Sequence, residues 1–256
     1  MDVLSVREVL DLIENQAPRE LAMDYDNVGL LIGDKDMQVN GIIIGLELTH
    51  ELIEDAIDRK CNIIIVHHPL IFKPIFSVQR DTAQGKKIMD LIKHNISLIV
   101  AHTNMDIATH GLNDFVFNKL GMLPIETRSN NIRIGKIPTQ RLRDFAYSLK
   151  KSLSLEYIHY CGEDDQMISV VGLCTGSGMS YYLEACKEGI DAYITGDMKY
   201  HDATLAIDKG IPVIDATHFG TEIWFKDLVL TYLQPLVGKL IPVYSHEKYS
   251  NPIKVL

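Results

Sequence analysis

The chain has 256 residues, of which 46% are hydrophobic and 23% charged, with 17 Gly and 9 Pro. This ordinary globular composition excludes disordered and fibrous chains and leaves room for one large domain or two of about 100–150 residues. With 25 Lys+Arg against 34 Asp+Glu the formal net charge is −9, and no basic run could track a phosphate backbone, so nucleic acid is not expected as a general partner.

From Met1 to Gln16, Val3, Leu4, Val6, Val9, Leu10 and Ile13 fall at helical spacing, without the basic and apolar regions of a signal peptide. No apolar stretch approaches the roughly 20 residues that span a bilayer. A soluble cytoplasmic protein with no membrane partner is therefore expected. Cysteines 61, 161, 174 and 186 form no C-x-x-C pair and read as buried thiols.

Short β-branched runs at Gly41–Leu46, Asn62–Val66 and Ile96–Val100 alternate with helical stretches at His50–Lys60 and Asp81–His94, and Thr49 stands where it can cap the first. Runs that are apolar throughout, rather than alternating, fit a parallel sheet covered on both faces. The region from about Leu123 to Asp164 is more polar, with Ser129-Asn130-Asn131 and Gly162-Glu163-Asp164-Asp165 as loops and a helix near Gln140–Leu153. Strands at Ile168–Cys174, Ala192–Thr195 and Ile211–Ile214 then alternate with helices near Tyr181–Glu188 and His201–Lys209. This rhythm predicts an α/β fold of two similar units with mostly parallel or mixed sheets. The first unit spans 1–124 and the second 125–256, with the segment from about 217 to 256 packing back on the first.

The histidines give the sharpest signal. His67-His68-Pro69 follows the second strand, His102-Thr103-Asn104-Met105-Asp106 follows the third, and Asp215 to Glu222 follows the last, with His218 and Glu222 four apart. Strand carboxyl ends are where open α/β sheets bind ligands, and an i,i+4 pair shares one helix face. One such histidine reads as well as a hydrogen-bonded structural residue, but three clusters at equivalent ends point to a metal cleft there. Asp197 and His201, also four apart, read as an acid/base pair or as a helix cap at Asp197. Thr175-Gly176-Ser177-Gly178 reads as a tight turn or as N–H groups holding a phosphate.

Together with Asp26-Asn27-Val28-Gly29-Leu30 and Gly196-Asp197 followed by His201, these motifs resemble the NIF-three-like family, labelled type 2 homologues of GTP cyclohydrolase I. The resemblance runs through nearly the whole chain in order and fits the short form without an inserted domain; Tyr25 stands where the family usually has Trp. It implies a dinuclear metal centre whose ligands map to His67, His68, Asp106, His218 and Glu222, and a closed homohexamer with its metal clefts facing an interior cavity. Such a donor set suits two divalent ions, Zn, Mn, Fe or Co, with Asp106 or Glu222 as the bridge. His102 would orient a ligand or shuttle protons, and His201 would bring acid/base chemistry from the second unit. The expected function is a metal-dependent hydrolase of a small, nucleotide-like substrate. The alternative is a non-catalytic metal-binding scaffold or metal-handling protein acting through partners.

Overall fold

The computed structural model describes residues 4–126 and 129–256. In chain order the strands are β1 (Gly29–Ile32), β2 (Ile42–Gly45), β3 (Ile63–Val66), β4 (Ser97–Val100), β5 (Leu123–Ile125), β6 (Arg133–Arg141), β7 (His159–Tyr160), β8 (Met167–Leu173), β9 (Ala192–Thr195), β10 (Val213–Asp215) and β11 (Val243–Ser245). They form two sheets in two compact units: Met1–Thr109 with Phe225–Ser250, and His110–Trp224 with Asn251–Leu256. The mixed α/β class expected from the alternation of strands and helices is the observed one.

The first sheet has the order β1-β4-β3-β2-β11, in which β4, β3, β2 and β11 are parallel and β1 is an antiparallel edge. All four positions of β2, β3 and β4 are buried, as expected of wholly apolar runs covered on both sides. Helices His50–Asp58 and Ala83–Lys93 cover one face, where Ile43, Ile64 and Leu98 meet Leu52, Ala56 and Leu91. Both helices start at a threonine whose hydroxyl accepts an otherwise unpaired amide: Thr49 from Leu52 and Thr82 from Gly85. Helix Val6–Gln16 begins at Ser5 with a reciprocal Ser5–Glu8 capping box, and helix Phe225–Val237 returns to lie against β2 and β11.

In the second unit the order is β5-β6-β8-β9-β10-β7, with β8, β9 and β10 parallel and the outer strands antiparallel. Ile134, Tyr182, Tyr193, Ala206 and Val213 share its core. Between the two expected loops the polar stretch carries β6, a nine-residue strand for which the sequence gives no expectation, and the helix expected near Gln140–Leu153 starts only at Leu142. Pro138 lies inside β6 where the register with β8 shifts between Lys136 and Gln140, so the strand's alternation is interrupted at its middle. Of the cysteines, Cys61 and Cys174 are buried, whereas Cys161 and Cys186 are only partly so. Among the described residues no helix is long and apolar enough to cross a membrane.

Candidate metal centre

Strands β3 and β4 are parallel neighbours with Val66 opposite Val100, so the residues that follow them leave the sheet side by side. This places the imidazole of His67 with ring centroids 4.9 Å from His68 and 5.0 Å from His102, and His68 5.3 Å from His102. The three offer nitrogens that all lie within 4.8 Å of one another, close enough to hold a metal ion. Asp106, on the short helix Thr103–Ile107 that starts after His102, sets its Oδ1 3.5 Å from His67 Nε2.

Each ring is anchored by the same nitrogen. His67 Nδ1 meets the Ala101 carbonyl at 2.9 Å, His68 Nδ1 meets Glu47 Oε1 at 2.6 Å, and His102 Nδ1 meets Asp26 Oδ1 at 2.9 Å. A neutral imidazole that donates from Nδ1 to oxygen carries its lone pair on Nε2, which is how histidines that bind metals are commonly oriented. Asp26 also accepts from the backbone and hydroxyl of Thr103, and its side chain is buried. Burial alone would raise the Asp26 carboxyl, but these bonds from His102 and Thr103 hold it well below the usual carboxylate range.

The second unit repeats this construction. Strands β9 and β10 are parallel neighbours, and the turns after them carry Asp197 and His218. Asp215, at the end of β10, accepts from the amides of Met198 and Thr217 and so clasps the two turns together. Burial pushes its carboxyl up against those two donors. Thr217 has φ +64, rare for a β-branched residue, and its hydroxyl accepts from Gly220 to start the five-residue helix His218–Glu222. His218 Nδ1 meets Asp197 Oδ2 at 2.7 Å, and its Nε2 lies 2.8 Å from Glu222 Oε2. Gly196 and Gly176 leave no room for a side chain: a Cβ on Gly196 would stand 2.6 Å from the His218 amide, and one on Gly176, at φ +62, would run into Glu222 Oε1. Gly176→Ala should therefore displace the Glu222 carboxylate and strain the turn, lowering stability by about 1–2 kcal/mol, which thermal melting would measure; an unchanged melt would mean that the turn relaxes freely.

Of the remaining candidates only His201 lies apart from these contacts among the described residues. His201 is exposed, with its ring against Tyr200 at 5.4 Å. Asp197 neither caps that helix nor pairs with His201: it holds His218, and the Lys199 amide at the start of the helix is taken by Asp202. In the turn Thr175–Gly178 the amides of Thr175, Gly176 and Gly178 already donate to Asn113, Thr221 and Thr195, which leaves the tight-turn reading and removes those three from anion binding. Glu47 escaped the sequence reading although it stands two residues after β2, at the same end of the same sheet. Asp26 lay within a recognised motif but had no partner assigned until the fold brought it to His102.

The family profile described as Duf34/NIF3 (NGG1p interacting factor 3) matches residues 4–252. The chain belongs to the Duf34/NIF3 family. Among its relatives, the protein called GTP cyclohydrolase 1 type 2 homolog in Clostridium acetobutylicum is 38% identical over 238 residues, 89% of this chain and 88% of that one. The protein of the same name in Streptococcus pneumoniae is 36% identical over 257 residues, 96% and 97% of the two chains. Of solved structures, Staphylococcus aureus protein SA1388 superposes with a TM-score of 0.91 at 28% identity over all of both chains. Reduced HcgD from Methanocaldococcus jannaschii does so with a TM-score of 0.78 at 26% identity, covering 96% of this chain and 98% of that one. The fold is thus shared with both of these solved structures along nearly their whole length.

Proposed function

We propose that the protein is a metal-dependent hydrolase whose ligands to two divalent ions are His67, His68, Asp106, His218 and Glu222. The observation that carries this reading is the shared anchoring of four imidazoles by Nδ1, to Ala101, Glu47, Asp26 and Asp197, which would present Nε2 of His67, His68 and His218 to the ions and Nε2 of His102 to the substrate. Three imidazoles and two carboxylates without a thiolate suit zinc, manganese, iron or cobalt. Bound divalent ions would supply Lewis acidity and bring the pKa of a water towards neutrality.

The chain's own residues would do the rest. Glu47 and Asp197 fix the rings of His68 and His218, and the Ala101 carbonyl fixes His67. His102 is held against the buried Asp26 carboxylate, an arrangement that orients the ring so that Nε2 can take and return a proton. The relatives' name makes GTP the first substrate to try. Protein purified without added metal should carry two equivalents of divalent ion by elemental analysis, and GTP turnover should vanish on chelation and return on reloading. Absence of any bound ion would overturn the reading. Bound metal without metal-dependent turnover would move the protein to metal handling.

A further inference from the structure

The Tyr25-Asp26-Asn27 tripeptide makes three contacts with different consequences. Asp26 holds His102, as described above. Asn27 donates its side-chain amide to the carbonyl of Ile71 at 2.6 Å, which ties down the loop that follows the His67-His68 pair. Tyr25 in turn meets Phe72, the next residue of that loop, edge to face with ring centroids 6.1 Å apart and planes at 65°. Phe72 also stands 6.3 Å from the His102 ring at 79°.

Two large aromatic rings are thus fixed beside the histidine cluster and left in solvent: Tyr25 is 66% exposed and Phe72 42%. An edge-to-face contact uses the edge of one ring and one face of the other, so further ring faces remain uncovered, and such faces attract other π-systems. Partial burial of its hydroxyl and the charges of Asp26 and Asp106 push the Tyr25 phenol up from its ordinary value. Fixing an exposed aromatic pair through a buried carboxylate and the Asn27 hydrogen bond to Ile71 does nothing for the core.

We propose that Tyr25 and Phe72 form a stacking wall for the planar aromatic ring of the substrate, whose reacting group then lies at the His67, His68 and His102 cluster. This rests on the hydrolase reading for its substrate but not on the number or identity of the metal ions. Stacking accepts any flat ring, so the wall would select for the presence of a ring, and the histidine cluster would select what is attached to it.

The test compares guanosine 5′-monophosphate with ribose 5-phosphate by titration calorimetry on the full chain. Wild-type protein should bind the first at least about tenfold more tightly, and Tyr25→Ala and Phe72→Ala should each erase most of that difference without changing ribose 5-phosphate binding. Tyr25→Trp, with a larger face, should retain it. Elemental analysis of the same samples reports metal separately, so a failure of the metal reading is visible apart from this one. Equal binding of the two probes, binding of neither, or Tyr25→Ala with undiminished guanosine 5′-monophosphate affinity would overturn the proposal. So would a Phe72→Ala variant that changes the oligomeric mass while leaving that affinity intact, since the wall would then be a contact between copies.

Discussion

His68→Ala and Glu222→Ala will emerge from metal-free purification with most of their divalent ion lost, while Glu47→Ala and Asp197→Ala will keep the ligands and bind metal about 10–100-fold more weakly. The difference follows from what each change removes. Alanine at 68 or 222 deletes a donor, whereas alanine at 47 or 197 deletes only the oxygen that holds Nδ1 of His68 or His218. A ring released from that oxygen must be ordered by the ion itself, and either nitrogen can then carry the proton. Competition against a chelating dye would measure the affinities and elemental analysis the stoichiometry. Wild-type affinity in Asp197→Ala would show that the anchoring of His218 has no part in binding, and the argument from shared orientation would fall with it.

The second large effect belongs to His102. His102→Ala should keep its ions yet lose about 10²–10⁴-fold in turnover, the usual contribution of a positioned acid or base. Asp26→Asn should lose less, because the asparagine oxygen can still accept from Nδ1 and keep the ring in place. Single-turnover kinetics with metal content measured on the same preparation separates the two. If His102→Ala strips the metal, the histidine belongs among the ligands, a role its distance from His67 and His68 permits.

Several of these features were legible in the residues alone, for identifiable reasons. Strands β2, β3 and β4 stand out because they are apolar at nearly every position and bounded by polar helices, and the rule that parallel neighbours share a carboxyl end brings His67 and His68 to His102. Strand β11 escaped because it is three residues long, follows Pro242 and gains its place only by pairing with β2. Strand β6 escaped because Gly135 and Pro138 break its pattern. The partner of Asp197 was misjudged for a related reason. Spacing along the chain offered His201 four residues on, but β9 and β10 are neighbours in the sheet, and the residue that reaches Asp197 is His218, 21 positions away. Local periodicity reports helix faces; it is silent on which strand ends meet.

The second unit is an insertion in the first, and this orders the events of synthesis. The sheet that carries His67, His68 and His102 lacks β11 and the helix Phe225–Val237 until all of His110–Trp224 has been made. The unit encoded later, continuous apart from Asn251–Leu256, can therefore complete its sheet on the ribosome before the unit encoded first. In that interval β2, whose Ile42, Ile43 and Ile44 are fully buried in the finished fold, presents an open apolar edge of the kind that pairs with foreign chains. At about 5–20 residues per second the exposure lasts on the order of ten seconds. Slowing translation through the second unit would lengthen it, and the yield of soluble protein would fall for reasons that no contact in the native molecule records.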